Sequence, residues 1–171
     1  MERPDDFILL DITLGCIPPS VNNMYYNTPG NGRKKNEKAN DFTRHTVRQI
    51  CLENRGFTIP LDTDLEFFLV CYYPFPAGEG KEDLLLKRDS DNTLKAAKDA
   101  VFAASLVVVD ETGMKYKKAN DNQVFDDYPK KRRGDPALLE KYPRGYSHIV
   151  LAYHGHALEI LKMLDQGVTL Q

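Results

Sequence analysis

Apolar and polar residues recur along this chain with two periods, and each period predicts a different element. Phe7 to Leu14 has strand character, and Ile17-Pro18-Pro19-Ser20 breaks it into an extended turn. Asn27 to Lys38 is rich in Gly, Asn and Lys, which predicts a mobile loop. From Ala39 to Arg55 the spacing is helical: Phe42, Val47, Ile50 and Cys51 fall roughly on one face, and Gly56 supplies a stop. Asp64 to Tyr73 is β-branched and aromatic, the pattern of a well-buried strand, and Pro74 to Lys81 follows as a loop.

Asp91 or Asn92 suits the N-cap of a helix running to about Ala104. Leu94, Ala97, Val101 and Ala104 give that helix its buried stripe. Leu106-Val107-Val108-Val109 predicts a short buried strand, and Met114 to Lys118 the start of another. Residues 121–146 show no clear period and read as an insertion. Ser147 to Tyr153 predicts a final strand, and Ala157 to Gln166 a helix whose apolar residues are Leu158, Leu161 and Leu164. Strands and helices come in mixed order, which favours an α+β fold over a doubly wound sheet. The expectation is a single domain over residues 1–171 with a mixed β-sheet and two to three helices.

Composition adds exclusions. Apolar residues make up 42 % of the 171 and charged residues 28 %, which is globular and rules out wholesale disorder. No apolar run approaches the roughly 20 residues of a membrane helix, so no membrane partner is expected. The opening Met-Glu-Arg-Pro-Asp-Asp is not a secretory signal. Cys16, Cys51 and Cys71 are odd in number and widely spaced, which suits a reducing cytoplasm better than a disulfide framework or zinc cage. The formal net charge is −2, yet residues 115–144 alone carry +4. That segment holds Lys130-Lys131-Arg132-Arg133 between Pro129 and Gly134, readable as a solvated loop or as a flexible DNA-facing arm.

The densest chemistry is Lys87-Arg88-Asp89-Ser90-Asp91-Asn92, then Lys95, Asp99 and Asp110. In an extended segment Asp89 and Asp91 point to one side. Lys95 lies one helical turn beyond Asp91, and Asp110 ends the strand after the helix. Three converging carboxylates stay ionised together only around a cation, and an all-oxygen ligand set selects a hard one, Mg²⁺. Lys95 would then stabilise the developing oxyanion or orient the attacking water. The same spacing also fits a helix cap with surface ion pairs. His154 and His156, two apart, are a weak zinc pattern and better suited to structural or surface roles; His45 and His148 have no sequence partner. No GxSxG, P-loop, HExxH or GxGxxG occurs.

Two motifs together carry a resemblance. Asp89-Ser90-Asp91-Asn92-x-x-Lys95-x-x-x-Asp99-Ala100, followed by an apolar strand and Asp110, resembles the signature of the RusA family of Holliday junction resolvases. Ile17-Pro18-Pro19-Ser20-Val21-Asn22-Asn23-Met24-Tyr25 is similar to that family's PPSxN opening, in the same order along the chain. The resemblance covers about residues 7 to 124. It implies a magnesium-dependent endonuclease, with Mn²⁺ substituting, that acts as a homodimer on four-way DNA junctions in recombination and repair. It assigns Asp89, Asp91 and Asp110 to the metal, Lys95 to catalysis and Asp99 to a structural role as partner of Lys95. The chain departs from the pattern in having Arg88 where Pro is common. Its single Asp110 also stands where the family has an acidic pair, so Glu111 is the other reading for the third carboxylate. A catalytically silent branched-DNA-binding protein of the same fold is the alternative. Arg33, Lys34, Lys35, Lys38, Lys115, Lys117 and Lys118 are candidates to meet phosphates. Tyr25, Tyr26, Phe75 and Phe102 could stack at an open junction or simply pack.

Overall fold

The computed structural model describes residues 4–21, 24–30, 32–74, 93–106, 108–109 and 116–167. Its elements are α1 (Pro4–Phe7), β1 (Ile8–Leu14), β2 (Tyr25–Thr28), β3 (Gly32–Lys35), α2 (Glu37–Glu53), β4 (Leu65–Tyr73) and α3 (Leu94–Ala104). Then come β5 (Val108–Val109), β6 (Tyr116–Lys117), a 3₁₀ turn (Asp121–Gln123), β7 (Val124–Arg133), α4 (Pro136–Lys141), β8 (Tyr146–Tyr153) and α5 (Ala157–Asp165). The central sheet has the order β1-β8-β4-β7. β8 runs antiparallel to β1 and β4, and β7 runs parallel to β4, so the sheet is mixed and the fold is α+β.

Both faces of the sheet are covered, which is why β4 and β8 read as nearly unbroken apolar runs. Leu10, Ile12, Leu14, Phe67, Leu69, Cys71, Ile149 and Leu151 form one face, packed against α2 and α3. Phe68, Val70, Tyr72, Tyr146, Val150 and Ala152 form the other, against Leu138 of α4 and Ile160 and Leu164 of α5. Each fully buried Leu or Phe contributes about 1.5–3 kcal/mol. Gly145 sits between α4 and β8 at φ +105°, and a Cβ there would stand 2.7 Å from the Tyr72 carbonyl oxygen, so the turn into β8 needs glycine.

Several sequence expectations change. In place of a single loop over residues 27–38, β2 and β3 pair as an antiparallel hairpin from Tyr25↔Lys35 to Thr28↔Gly32, and the helix begins at Glu37. The turn uses Gly30 at φ +88°, and the Pro29-Gly30-Asn31-Gly32 sequence is a hairpin signal in its own right. Residues 121–146, expected as an insertion, supply the fourth strand of the central sheet and α4. The Lys130 to Arg133 run is therefore no flexible arm; it lies in register with Val70 to Tyr73 of β4. The Gly134 N–H donates to the Tyr73 oxygen at 2.9 Å, which fixes the alternation along β7. Alternate residues counted back from Gly134 turn their backbone groups to β4, and Pro129 turns its missing donor to the open edge. A proline and lysines on an edge strand discourage pairing with another chain.

Smaller corrections follow from docking angles. In α2 the buried residues are Ala39, Phe42, Thr46 and Ile50, while Cys51 is exposed. In α5 they are Ile160 and Leu164, and Leu158 is 74 % exposed. Leu106 lies outside β5 and is exposed. The buried stripe of α3 is as expected, with Leu94, Ala97, Val101 and Ala104 all inside. Among the described residues no helix is long and apolar enough to cross a membrane.

Candidate functional site

The site is organised by α3. Its apolar stripe fixes the helix on the sheet, and the Cys71 thiol and Thr93 hydroxyl, 3.6 Å apart, tie its start to β4. That docking turns Lys95 and Asp99 outward, one turn apart, with Lys95 Nζ 3.4 Å from Asp99 Oδ2. The hairpin approaches from the side and places Lys35 Nζ 3.2 Å from the same Asp99 oxygen. Asp99 is therefore shared by two lysines, with its side chain 21 % exposed. At the other end of α3, Lys118 donates from Nζ to the Ala103 carbonyl at 2.9 Å. This places a cation on the negative end of the helix dipole.

These groups line a shallow depression of about 520 Å³, together with Tyr25, Phe102, Asn120 and Asp121. Three lysines and two aspartates give its rim a net charge of +1. Partial burial alone would lower the Lys95 pKa, but the charges of Asp99, Tyr25 and Asp121 and the Asp99 hydrogen bond outweigh it. The net result is a value raised above 10.5. At neutral pH Lys95 is thus an ammonium group. It can neutralise a developing negative charge, but it cannot accept a proton.

The expected role of Asp99 as partner of Lys95 is what the structure has. Asp89, Asp91 and Asp110, and Glu111 with them, lie outside the described residues. Among the described residues no group of three His, Cys, Asp or Glu is placed to hold a metal ion. Of the two described carboxylates that line the depression, Asp99 and Asp121, Asp99 is already taken up by two lysines. What the described part of the site fits is an anion.

The other candidates separate. Arg33, Lys34 and Lys38 are exposed on the hairpin and the start of α2. Lys115 and Phe75 lie outside the described residues, and Lys117 is placed only as part of β6. Tyr25 packs against the core and Phe102 is buried, whereas Tyr26 is 52 % exposed. The basic run of β7 is structural in part. Arg132 binds the Asp165 carboxylate and donates to the Leu164 carbonyl at 3.5 Å, which fastens the end of α5 to the sheet.

The histidines take structural places. His154 Nδ1 lies 3.0 Å from Oε1 of Glu66, a carboxylate only 1 % exposed. The His156 ring stacks on Phe7 at 4.2 Å. His148 Nε2 and Asp11 Oδ1 are 2.5 Å apart across the β1–β8 ladder, and His45 is exposed on α2. Sequence reasoning missed the convergence of Lys35 and Lys118 on α3, because it requires the hairpin and the β6–β7 connection to reach the same helix. No protein-family model matches the chain, and no curated protein matches it.

Proposed function

We propose that this chain is a magnesium-dependent, structure-selective DNA endonuclease of the RusA type that resolves four-way junctions as a homodimer. The observation that carries the reading is the motif Asp89-x-Asp91-Asn92-x-x-Lys95-x-x-x-Asp99. Its described half folds as one side of α3, with Lys95 and Asp99 paired on the rim of a cationic depression. Lysine is charged at neutral pH by itself, and Asp99 strengthens that charge and holds the ammonium group in place.

In this reading Asp89, Asp91 and Asp110 hold the magnesium, and Mn²⁺ can replace it. Bound there, the ion would acidify the attacking water and offset charge on the scissile phosphate. The remaining work belongs to the lysines. Lys35 and Lys118 draw the phosphate into the depression, and Lys95 donates to the oxygen on which charge builds. Two matched cuts in a junction require two sites related by a two-fold axis, which a C2 dimer supplies.

Nicking of a synthetic four-way junction with and without Mg²⁺ tests the proposal. Wild type should nick only with the metal. Asp91→Asn should abolish nicking while binding persists, and Lys95→Ala should slow it by on the order of 10². Junction binding by wild type without any metal-dependent nicking would leave a catalytically silent branched-DNA-binding protein. Absence of both would leave the motif as a helix cap.

A further inference from the structure

We infer that the β2–β3 hairpin and the exposed side of α2 seat a single DNA strand beside the Lys95 depression, with Tyr26 as the stacking platform for one unpaired base. This rests on the nuclease reading and adds to it the path of the strand.

The hairpin register sorts its residues by face. Tyr25 is paired with Lys35, and both turn toward α3, where Tyr25 packs and Lys35 meets Asp99. The next pair, Tyr26 and Lys34, turns the opposite way into solvent. A half-exposed tyrosine with a lysine as its cross-strand neighbour offers ring surface next to a basic residue. Tyr26 also lines a second depression of about 570 Å³, with Lys35, Glu37, Asn40, Thr43 and Arg44. Lys35 belongs to both depressions, so they adjoin along its side chain.

Charge sets the direction. Residues 24–50 carry a net +4 in a chain of net −2. On the opposite side, Lys118 and Asn120 border a third depression, whose ionisable members are otherwise Asp62 and Asp64. A polyanion leaving the Lys95 site therefore runs over the hairpin and away from Asp62 and Asp64. An exposed ring stacks only on a base that has left its own stack, and such contacts are indifferent to sequence. The occupant is thus a single strand, as found at the opened centre or the arms of a branched substrate.

Anisotropy titration of a labelled oligothymidylate and of a four-way junction tests the seat. Tyr26→Ala should weaken both by about 5- to 100-fold, the loss of one stacked base. Tyr26→Phe, which keeps the ring, should stay within about twofold of wild type. Neutralising Arg33 and Lys34 to Gln should lower the slope of log K against log salt for the oligonucleotide by about 0.7 per lost contact. Asp62→Asn and Asp64→Asn should not weaken binding. Wild-type affinity in Tyr26→Ala, or an unchanged salt slope in the Arg33/Lys34 variant, overturns the seat if wild type still binds and nicks the junction. If wild type binds neither DNA, the seat and the nuclease reading fall together. Far-UV circular dichroism of Tyr26→Ala should match wild type, since the ring is not in the core.

Discussion

The shared carboxylate of Asp99 is the most informative single atom group to remove. In Asp99→Asn the side chain keeps its volume, and Lys35 and Lys95 lose the charge that holds them 3.2 and 3.4 Å from one oxygen. The lysine side chains are 33 % and 47 % exposed, so each ion pair is screened. Partly exposed pairs are worth about 0.2–1 kcal/mol, so the two together give a stability loss of about 1 kcal/mol, or about 2–4 °C in Tm for a chain of this size. The titration of Lys95 changes more. In wild type its folded pKa lies above 10.5, so its contribution to stability is fully present below that value and is lost as pH rises through the folded value. In the variant the Asp99 charge and hydrogen bond are gone, while burial, which favours the neutral amine, and Tyr25 and Asp121, which favour the ammonium, remain. The folded pKa then falls from its wild-type position, and the stability that charged Lys95 contributes at neutral pH shrinks. The gap between wild type and variant should therefore be widest near neutrality and close above pH 10.5. Urea unfolding across pH 7.5 to 11 reads the gap, and NMR of the lysine side chains reads Lys95 directly. A Lys95 titration in Asp99→Asn at or above the wild-type position would refute the account of the site.

Three further perturbations test the scaffold. Gly145→Ala should lower unfolding free energy by more than about 2 kcal/mol in urea melts, because it puts an L side chain at φ +105° and a Cβ 2.7 Å from the Tyr72 oxygen. Pro129→Thr restores a backbone donor on the open edge of β7 and should produce concentration-dependent association beyond the wild-type species in sedimentation velocity. Arg132 holds the Asp165 carboxyl below its ordinary 3.8, chiefly through their hydrogen bond. That contribution is present above 3.8 and lost as pH falls through the folded value, so in Arg132→Ala the Asp165 titration seen by NMR should return toward 3.8.

The parts of the fold legible in sequence are those where one physical term dominates. β4 and β8 read correctly because both faces are buried, which keeps Leu65–Tyr73 and Tyr146–Tyr153 apolar at most positions. The stripe of α3 read correctly because it is buried along its whole length, though the helix is capped at Thr93 rather than at Asp91 or Asn92. The hairpin was hidden by composition: Asn, Gly and Lys suit a loop, yet the same residues suit a turn and two solvated strands. α5 kept Leu161 and Leu164 on its packed side but exposes Leu158 and buries Ile160, since the two are equally apolar and only the docking of the helix decides between them. Within the site, Lys95 and Asp99 were found because i and i+4 on a helix are neighbours. Lys35 joins them from 64 residues away, a convergence that no spacing along the chain encodes.

β7 shows why a basic run is a poor guide to a nucleic-acid surface. A central strand could not hold Pro129 or four consecutive cations, because the proline would leave a ladder bond unmade and the charges would have no route to water. An edge strand has one free side, and the long stems of Lys and Arg can lie on apolar surface while their charges reach solvent or a partner. Lys130, Lys131 and Arg132 are half-buried in this way, and Arg132 spends its charge on Asp165. A proline and lysines on an edge strand also discourage pairing with another chain. The cations around Lys95 differ in kind: Lys35, Lys95 and Lys118 come from separate parts of the chain and converge on one depression, where Lys35 and Lys95 share Asp99 and Lys118 holds the end of α3. Convergence from distant parts of the chain leaves excess positive charge at one point, which suits an anion. A run within one strand spreads its charge along an edge.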